Sequence, residues 1–234
     1  MIDTVTDRYN LYSRLLPEQG DPVDETGVTW IYMNQPPVDS MRCDIYYNVL
    51  FPLFKHISSR CRECFKVAVK PRTVVELFDL YEIMRKHPYH CKCGLDFREL
   101  TEGVYAGFFY CRGLKQGLER FKIMREVIPA EIPMVVKRYC TEYEVGATRI
   151  CASDKLKRPL TPEQIAFERH VLNNYALKEE KLSRQPEYVM REVMRRWIHS
   201  ARAAGDSTYK EFTGGNPLYH EVVTYQDGDK KYAT

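Results

Sequence analysis

The sequence has no run of apolar residues long enough to cross a lipid bilayer. Its longest apolar runs, residues 46–54 and 104–111, fall well short of the roughly 20 residues that a membrane-spanning helix needs. The first thirty residues also lack the basic, apolar and small-residue succession of a secretory signal. We therefore expect a soluble intracellular protein, cytoplasmic in location and without a membrane partner.

Familiar catalytic motifs are missing as well. The chain contains no glycine-rich phosphate loop, no G-x-S-x-G nucleophile elbow and no H-E-x-x-H metal pair. Cys140 lies close to the carboxylates of Glu142 and Glu144, which disfavour a reactive thiolate. The sequence thus assigns no catalytic residue and leaves open whether the protein is an enzyme.

Four of the eight cysteines stand in two close pairs. Cys61 and Cys64 are separated by two residues, Cys91 and Cys93 by one, and the two pairs lie a few tens of residues apart. This arrangement is typical of a tetrahedral zinc site, because deprotonated sulfur binds a borderline-soft dication well. We predict that these four cysteines bind zinc.

An iron–sulfur cluster is the alternative occupant of that site, although neither compact ferredoxin spacing of cysteines occurs here. Without an export signal, reduced thiols are expected rather than disulfides. The other cysteines are scattered, and we expect them to be buried as small apolar side chains, with a second cluster or a redox pair as the alternative. They are Cys43, Cys111, Cys140 and Cys151.

Two strand–helix units recur about forty residues apart, which predicts the fold. The first unit has an alternating strand over 65–70 and a helix from residue 74, and the second has a strand over 104–111 and a helix from residue 114. Further strands are predicted at 94–100 and 134–145. The resulting order β-α-β-β-α-β indicates an α+β fold with a ferredoxin-like core. The four-cysteine site is expected at one end of its sheet.

Composition divides the chain into four parts. We predict an irregular N-terminal arm over 1–42 with a short strand at 29–33, a metal-organised core over 43–150, a helical extension over 151–205 and a polar C-terminal tail over 206–234. The extension contains one helix from residue 162 to about 180 and a second over 186–204. The apolar stripe of the second helix is expected to pack on the core, and the alternative is that this helix and the arms contact a protein assembly.

Positive charge is concentrated in the middle of the chain. Residues 41–205 contain thirty basic and twenty acidic side chains, whereas both ends are acidic. A basic body suits a polyanionic partner such as nucleic acid, and solvated charge kept for solubility is the alternative.

Alternation along the predicted strands assigns residues to two faces of the sheet. Ala106 and Phe108 are expected under the helices. The opposite face is predicted to bind nucleic acid through Lys66, Lys70, Tyr105, Phe109, Lys137 and Tyr139. Aromatic rings for stacking and lysines for phosphate are what readers of single-stranded nucleic acid use. The alternative is that the N-terminal arm or the C-terminal helices cover this face, in which case Tyr105 and Phe109 are core residues.

Residues 103–110 loosely resemble the aromatic third strand of the RNA recognition motif, but lack the basic-glycine-aromatic opening of its consensus. The combined prediction is a zinc-organised binding protein that engages single-stranded nucleic acid or a larger macromolecular assembly. The alternatives are an iron–sulfur or cysteine-based redox accessory enzyme and a structural subunit of a protein complex.

Overall fold

The computed structural model describes residues 8, 27–34, 46, 50–51, 57–98, 101–138, 159–175 and 185–216. Within these ranges the chain has a mixed α+β fold built on a five-stranded sheet. No helix in the described ranges combines the length and the apolar character needed to span a bilayer.

The strands and the helices are numbered separately, each in chain order. The strands are β1 (Trp30–Met33), β2 (Cys64–Val69), β3 (Cys91–Leu95), β4 (Tyr105–Arg112) and β5 (Met134–Arg138). The helices are α1 (Ser59–Arg62), α2 (Val74–Arg85), α3 (Gly113–Arg125), α4 (Pro162–Tyr175), α5 (Glu187–Ala203) and α6 (Lys210–Thr213), with a 3-10 turn over Ser207–Tyr209 before α6.

The strands lie side by side in the order β1-β3-β4-β2-β5, and all neighbouring pairs are antiparallel. The short strand predicted in the N-terminal arm is present as β1, which extends the sheet beyond β3. The strand predicted at 94–100 was placed too late, because β3 begins at Cys91. Most of the predicted strand 134–145 beyond β5 lies outside the described residues.

Helices α2 and α3 cover one face of the sheet, called here the proximal face. Glycine permits both close approaches: a Cβ atom on Gly107 of β4 would lie 2.8 Å from the Met84 side chain of α2, and one on Gly117 of α3 would lie 3.1 Å from Val136 of β5. Since side chains alternate along a strand, Gly107 fixes which residues of β4 share the proximal face.

Helix α2 begins at a conventional N-cap. The Thr73 side chain accepts a hydrogen bond from the backbone N–H of Glu76 at 3.1 Å, and Pro71 lies just upstream of the cap. The residues of α2 that are buried in the core recur at helical spacing, as the sequence predicted. They are Val74, Leu77, Phe78, Leu80 and Met84.

Helix α5 packs beside α2 and β1. The indole N–H of Trp197 donates to the Thr29 carbonyl at 2.9 Å, and the Trp197 ring meets Phe78 of α2 edge-on at 5.4 Å between centroids. The apolar stripe of α5 is thus part of the core, as expected. Its buried residues are Val193, Met194, Trp197, Ile198 and Ala201.

Residues 206–213 also belong to the packed structure, although the sequence placed them in a polar tail. Phe212 is fully buried and lies 4.6 Å from Phe78 between ring centroids. The Asp206 carboxylate accepts hydrogen bonds from the backbone N–H of Val74 at 2.6 Å and from the Tyr105 hydroxyl at 2.7 Å. This carboxylate therefore ties the C-terminal segment to the first residue of α2 and to β4.

We expect Asp206→Ala to lower the free energy of unfolding by roughly 1–3 kcal/mol, because the buried Tyr105 hydroxyl would lose its acceptor. Urea denaturation of the variant measures this change, and Glu102→Ala on the surface is the control. Tyr105→Phe combined with Asp206→Ala should cost less than the two single changes added together. Additive losses would contradict the assigned interaction.

Helix α4 is joined to α1 by a buried carboxylate. Glu168 accepts hydrogen bonds from the Ser58 hydroxyl at 2.7 Å, and from the Ser59 backbone N–H at 3.0 Å and hydroxyl at 2.9 Å. A small apolar cluster that includes Cys61 and Val171 packs around this contact. The pairing explains how a charged residue is accommodated in a buried position.

The outer edge of β1 is paired with a side chain. The Gln185 amide accepts from the Tyr32 backbone N–H at 3.3 Å and donates to the Trp30 carbonyl at 3.2 Å. One residue thus satisfies two backbone groups that another strand would otherwise engage.

Candidate nucleic-acid interface

The four cysteines of the predicted zinc site occupy three different places in the fold. Cys61 lies in α1 and packs in the cluster beside α4, and Cys64 is the first residue of β2. Cys91 and Cys93 lie in β3, on the proximal face, and belong to the main core. Strand β4 separates β2 from β3, and alternation places Cys64 on the face opposite to Phe65 and the proximal residues.

The structure therefore does not show the four-cysteine site that the spacing predicts. Among the described residues, no group of three or more His, Cys, Asp and Glu side chains is placed to hold a metal. An iron–sulfur cluster would need the same convergence of thiols. Three further cysteines, Cys43, Cys140 and Cys151, lie outside the described residues.

Burial explains the chemistry of the β3 cysteines. It raises the pKa of the Cys91 thiol to about 12 and that of Cys93 well above its ordinary value. Burial likewise raises the pKa of Cys111, which lies on β4. These residues are neutral thiols that pack as small apolar side chains, which also disfavours a redox role for them.

We expect Cys91 and Cys93 to resist alkylation by iodoacetamide in the native protein at about pH 8, where their thiols stay protonated. Both should react once the chain is unfolded in urea. Peptide mass spectrometry of the two samples measures this difference. Modification of Cys91 in the native protein at the rate of the unfolded chain would contradict the structure.

The face of the sheet opposite α2 and α3, called here the distal face, is aromatic and basic. It is assigned from strand alternation and the pairing register. Its residues are Trp30, Tyr32, Cys64, Lys66, Ala68, Lys92, Gly94, Ala106, Phe108, Tyr110, Arg112, Val135 and Lys137.

Lysines on the distal face lie against its rings. The Lys92 ammonium is 4.2 Å from the centroid of Trp30 and 5.4 Å from that of Tyr32. The Lys66 ammonium lies 5.3 Å from the centroid of Phe108 and 5.4 Å from that of Tyr110. These are cation–π distances, so the positive charges and the aromatic rings form one continuous surface across four strands.

Exposure is uneven across this surface. Phe108 and Lys66, at its centre, are each only 5% exposed. Trp30 and Lys92 are half-buried, and Tyr32 is 36% exposed. Among the rings of the distal face, Tyr32 on β1 is therefore the most accessible to a ligand.

A groove of about 400 Å³ opens on that side, at the end of β3. It is lined by Thr29, Trp30, Lys92, Leu95, Asp96, Phe97 and Arg98. Phe97 is 62% exposed, which is unusual for a phenylalanine and places an aromatic ring in reach of solvent at the groove.

A buried carboxylate organises the groove. Asp96 is nearly buried and accepts two hydrogen bonds from the Arg98 guanidinium, both at 2.6 Å, while the Lys70 ammonium lies 3.9 Å away. Burial alone would raise the pKa of Asp96, but the hydrogen bonds from Arg98 and the charges of Arg98 and Lys70 together hold it below its usual value. Burial lowers the pKa of Lys70, against the opposing pull of Asp96. Asp96 is thus a charged, fully engaged side chain.

The predicted site residues divide between these surroundings. Lys66 and Lys137 are on the distal face, and Lys70 follows β2 beside Asp96. Tyr139 lies outside the described residues. Tyr105 and Phe109 were assigned to the wrong face: both are buried in the core on the proximal side, because the close approach of α2 at Gly107 sets the phase of β4.

The correction exchanges these two residues for Phe108 and Tyr110. Sequence reasoning also missed Trp30, Tyr32 and Lys92 as members of the surface. The alternation of Trp30 and Tyr32 in a predicted strand was a usable signal, but only the pairing of β1 with β3 brings these rings beside Lys92.

Comparison of the chain with protein-family models, with curated proteins and with solved structures gives no match in any of the three.

Proposed function

We propose that this protein binds single-stranded nucleic acid on the distal face of its sheet. The observation that carries the proposal is the group of accessible rings and an ammonium on β1 and β3, in which Lys92 lies 4.2 Å from the ring centroid of Trp30 and 5.4 Å from that of Tyr32. Aromatic rings accept stacked bases of any sequence, and lysines attract the phosphates between them.

The spacing of the rings suits an extended strand of nucleotides. Trp30 and Tyr32 lie two positions apart on β1, which separates their attachment points by about 6.8 Å. Unstacked bases are what single-stranded readers engage, and two rings at this separation can each take a different base.

The fold proposed for this function is a ferredoxin-like core with β1 added at its edge. The chain order β2-α2-β3-β4-α3-β5 and the spatial order β3-β4-β2-β5 support that assignment. In this arrangement both helices pack on one face and leave the other for a ligand. Zinc has no part in the proposal, because the four thiols lie in separate places.

A second candidate is a subunit of a protein assembly. It is favoured by exposed apolar residues on and after α3, including Leu114 and Leu118, which follow each other by one helical turn. Binding of nucleic acid to the distal face is what separates the two candidates.

The test is fluorescence anisotropy with a short labelled single-stranded RNA or DNA, titrated at several salt concentrations. Binding should weaken as salt rises, because lysine–phosphate contacts release counterions. Tyr32→Ala should reduce affinity by about fivefold to 150-fold, the equivalent of losing about 1–3 kcal/mol of stacking.

Matched controls are present in the chain. Tyr188 on α5 is also 36% exposed and is not one of the distal-face residues, so Tyr188→Ala should leave affinity unchanged. Lys92→Gln should reduce the salt dependence by about 0.7 in the log–log slope, whereas Lys115→Gln on α3 should not. Absence of binding at low salt, or equal losses in the two tyrosine variants, would refute the proposal.

A further inference from the structure

The groove at the end of β3 combines three features that the rest of the distal face does not bring together. It is an open groove of about 400 Å³, it includes the most exposed large aromatic side chain among the described residues, and it has two cationic side chains in its lining. Pockets of this size accommodate small organic ligands.

The backbone around Phe97 is held in place. Asp96 donates its backbone N–H to the Val104 carbonyl at 2.8 Å, and its carboxylate engages Arg98. The Thr101 hydroxyl donates to the Arg98 carbonyl at 2.8 Å. Phe97 thus lies between two residues that are held by hydrogen bonds, which lowers the conformational cost of presenting its ring to a ligand.

The charge of the groove favours an anion. Lys92 and Arg98 are both partly exposed in its lining, and the single carboxylate there, Asp96, is nearly buried and engaged by Arg98. An arginine and a lysine beside aromatic rings match a ligand that carries a phosphate on one side and a planar base on the other.

We propose that this groove seats one nucleotide of a bound strand, with its base against Trp30 and Phe97 and its phosphate beside Lys92 and Arg98. The inference rests on the proposed function and adds to it a defined subsite with a nucleoside monophosphate as its minimal ligand. Tyr32, the most exposed ring of the distal face, stacks on a neighbouring nucleotide of the strand.

The experiment titrates the full chain with AMP, adenosine and inorganic phosphate while intrinsic tryptophan fluorescence is recorded. Trp30 lines the groove and the other tryptophan, Trp197, is fully buried, so a quench reports on the groove. AMP should quench the fluorescence and bind at least about fivefold more tightly than adenosine, because only AMP carries the charge that Lys92 and Arg98 recognise.

Phe97→Ala is the principal variant, since a side chain 62% exposed can be removed without loss of the core. It should weaken binding of both AMP and the oligonucleotide by at least about fivefold, and Phe97→Tyr should retain binding. Leu114→Ala, which removes an apolar side chain 51% exposed on α3, is the matched control and should change neither.

The outcomes separate this inference from the proposed function. Oligonucleotide binding that is unaffected by Phe97→Ala, with no quench by AMP, overturns the subsite and leaves the proposed function standing. Equal affinity for AMP and adenosine overturns the phosphate assignment. Failure of every oligonucleotide to bind overturns the proposed function, and with it the role of the groove as part of a strand-binding surface.

Discussion

Hydrogen bonds from helix α5 to the residues just before β1 position that strand over the helical layer. Trp197 of α5 donates its indole N–H to the Thr29 carbonyl, immediately before the strand, while its ring packs against Phe78 of α2. The Arg196 guanidinium donates to the neighbouring Val28 carbonyl at 3.0 Å. Because β1 carries Trp30 and Tyr32, a fully buried residue on one side of the sheet determines where the aromatic rings stand on the other side.

Close packing of backbone supports the same arrangement. A side chain at Gly94 of β3 would collide with the Thr29 carbonyl and lie 2.9 Å from the Trp30 Cα atom, so β1 can approach β3 only because this position is glycine. In the same way, Gly107 of β4 permits the close approach of α2, and Gly117 of α3 permits the close approach of that helix to β5. The two faces of the sheet thus acquire their separate characters from a few positions without side chains.

Much of the secondary structure could be predicted from the sequence. The strand predicted at 65–70 is β2 within one residue, and the apolar spacing in α2 and α5 identified two helices that pack on the core. In α3 the apolar spacing predicted the helix, but Leu114 and Leu118 of its apolar positions are exposed. These predictions succeeded because the spacing of apolar residues and the residues that begin or end a helix are local properties of the sequence.

The face of β4 could not be predicted in the same way. Its residues are almost continuously apolar, so alternation gives no phase, and only the tertiary contact at Gly107 distinguishes Phe108 from Phe109. The placement of the cysteines could not be predicted for a different reason. A spacing that suits metal ligands also suits a buried strand in which Cys91, Cys93 and Leu95 face inward, and the sequence does not separate these two uses of sulfur.

The amide of Gln185 has a consequence for what can pair with the edge of the sheet. An edge strand with unpaired backbone groups is a template on which other chains can polymerise. Gln185, two residues before α5 begins, accepts a hydrogen bond from the Tyr32 N–H and donates one to the Trp30 carbonyl. Gln185 thereby blocks the pairing of β1 with a strand of another chain at these two backbone groups. The Trp30 and Tyr32 side chains on the same strand stay partly exposed, so protection of the backbone does not cover the rings.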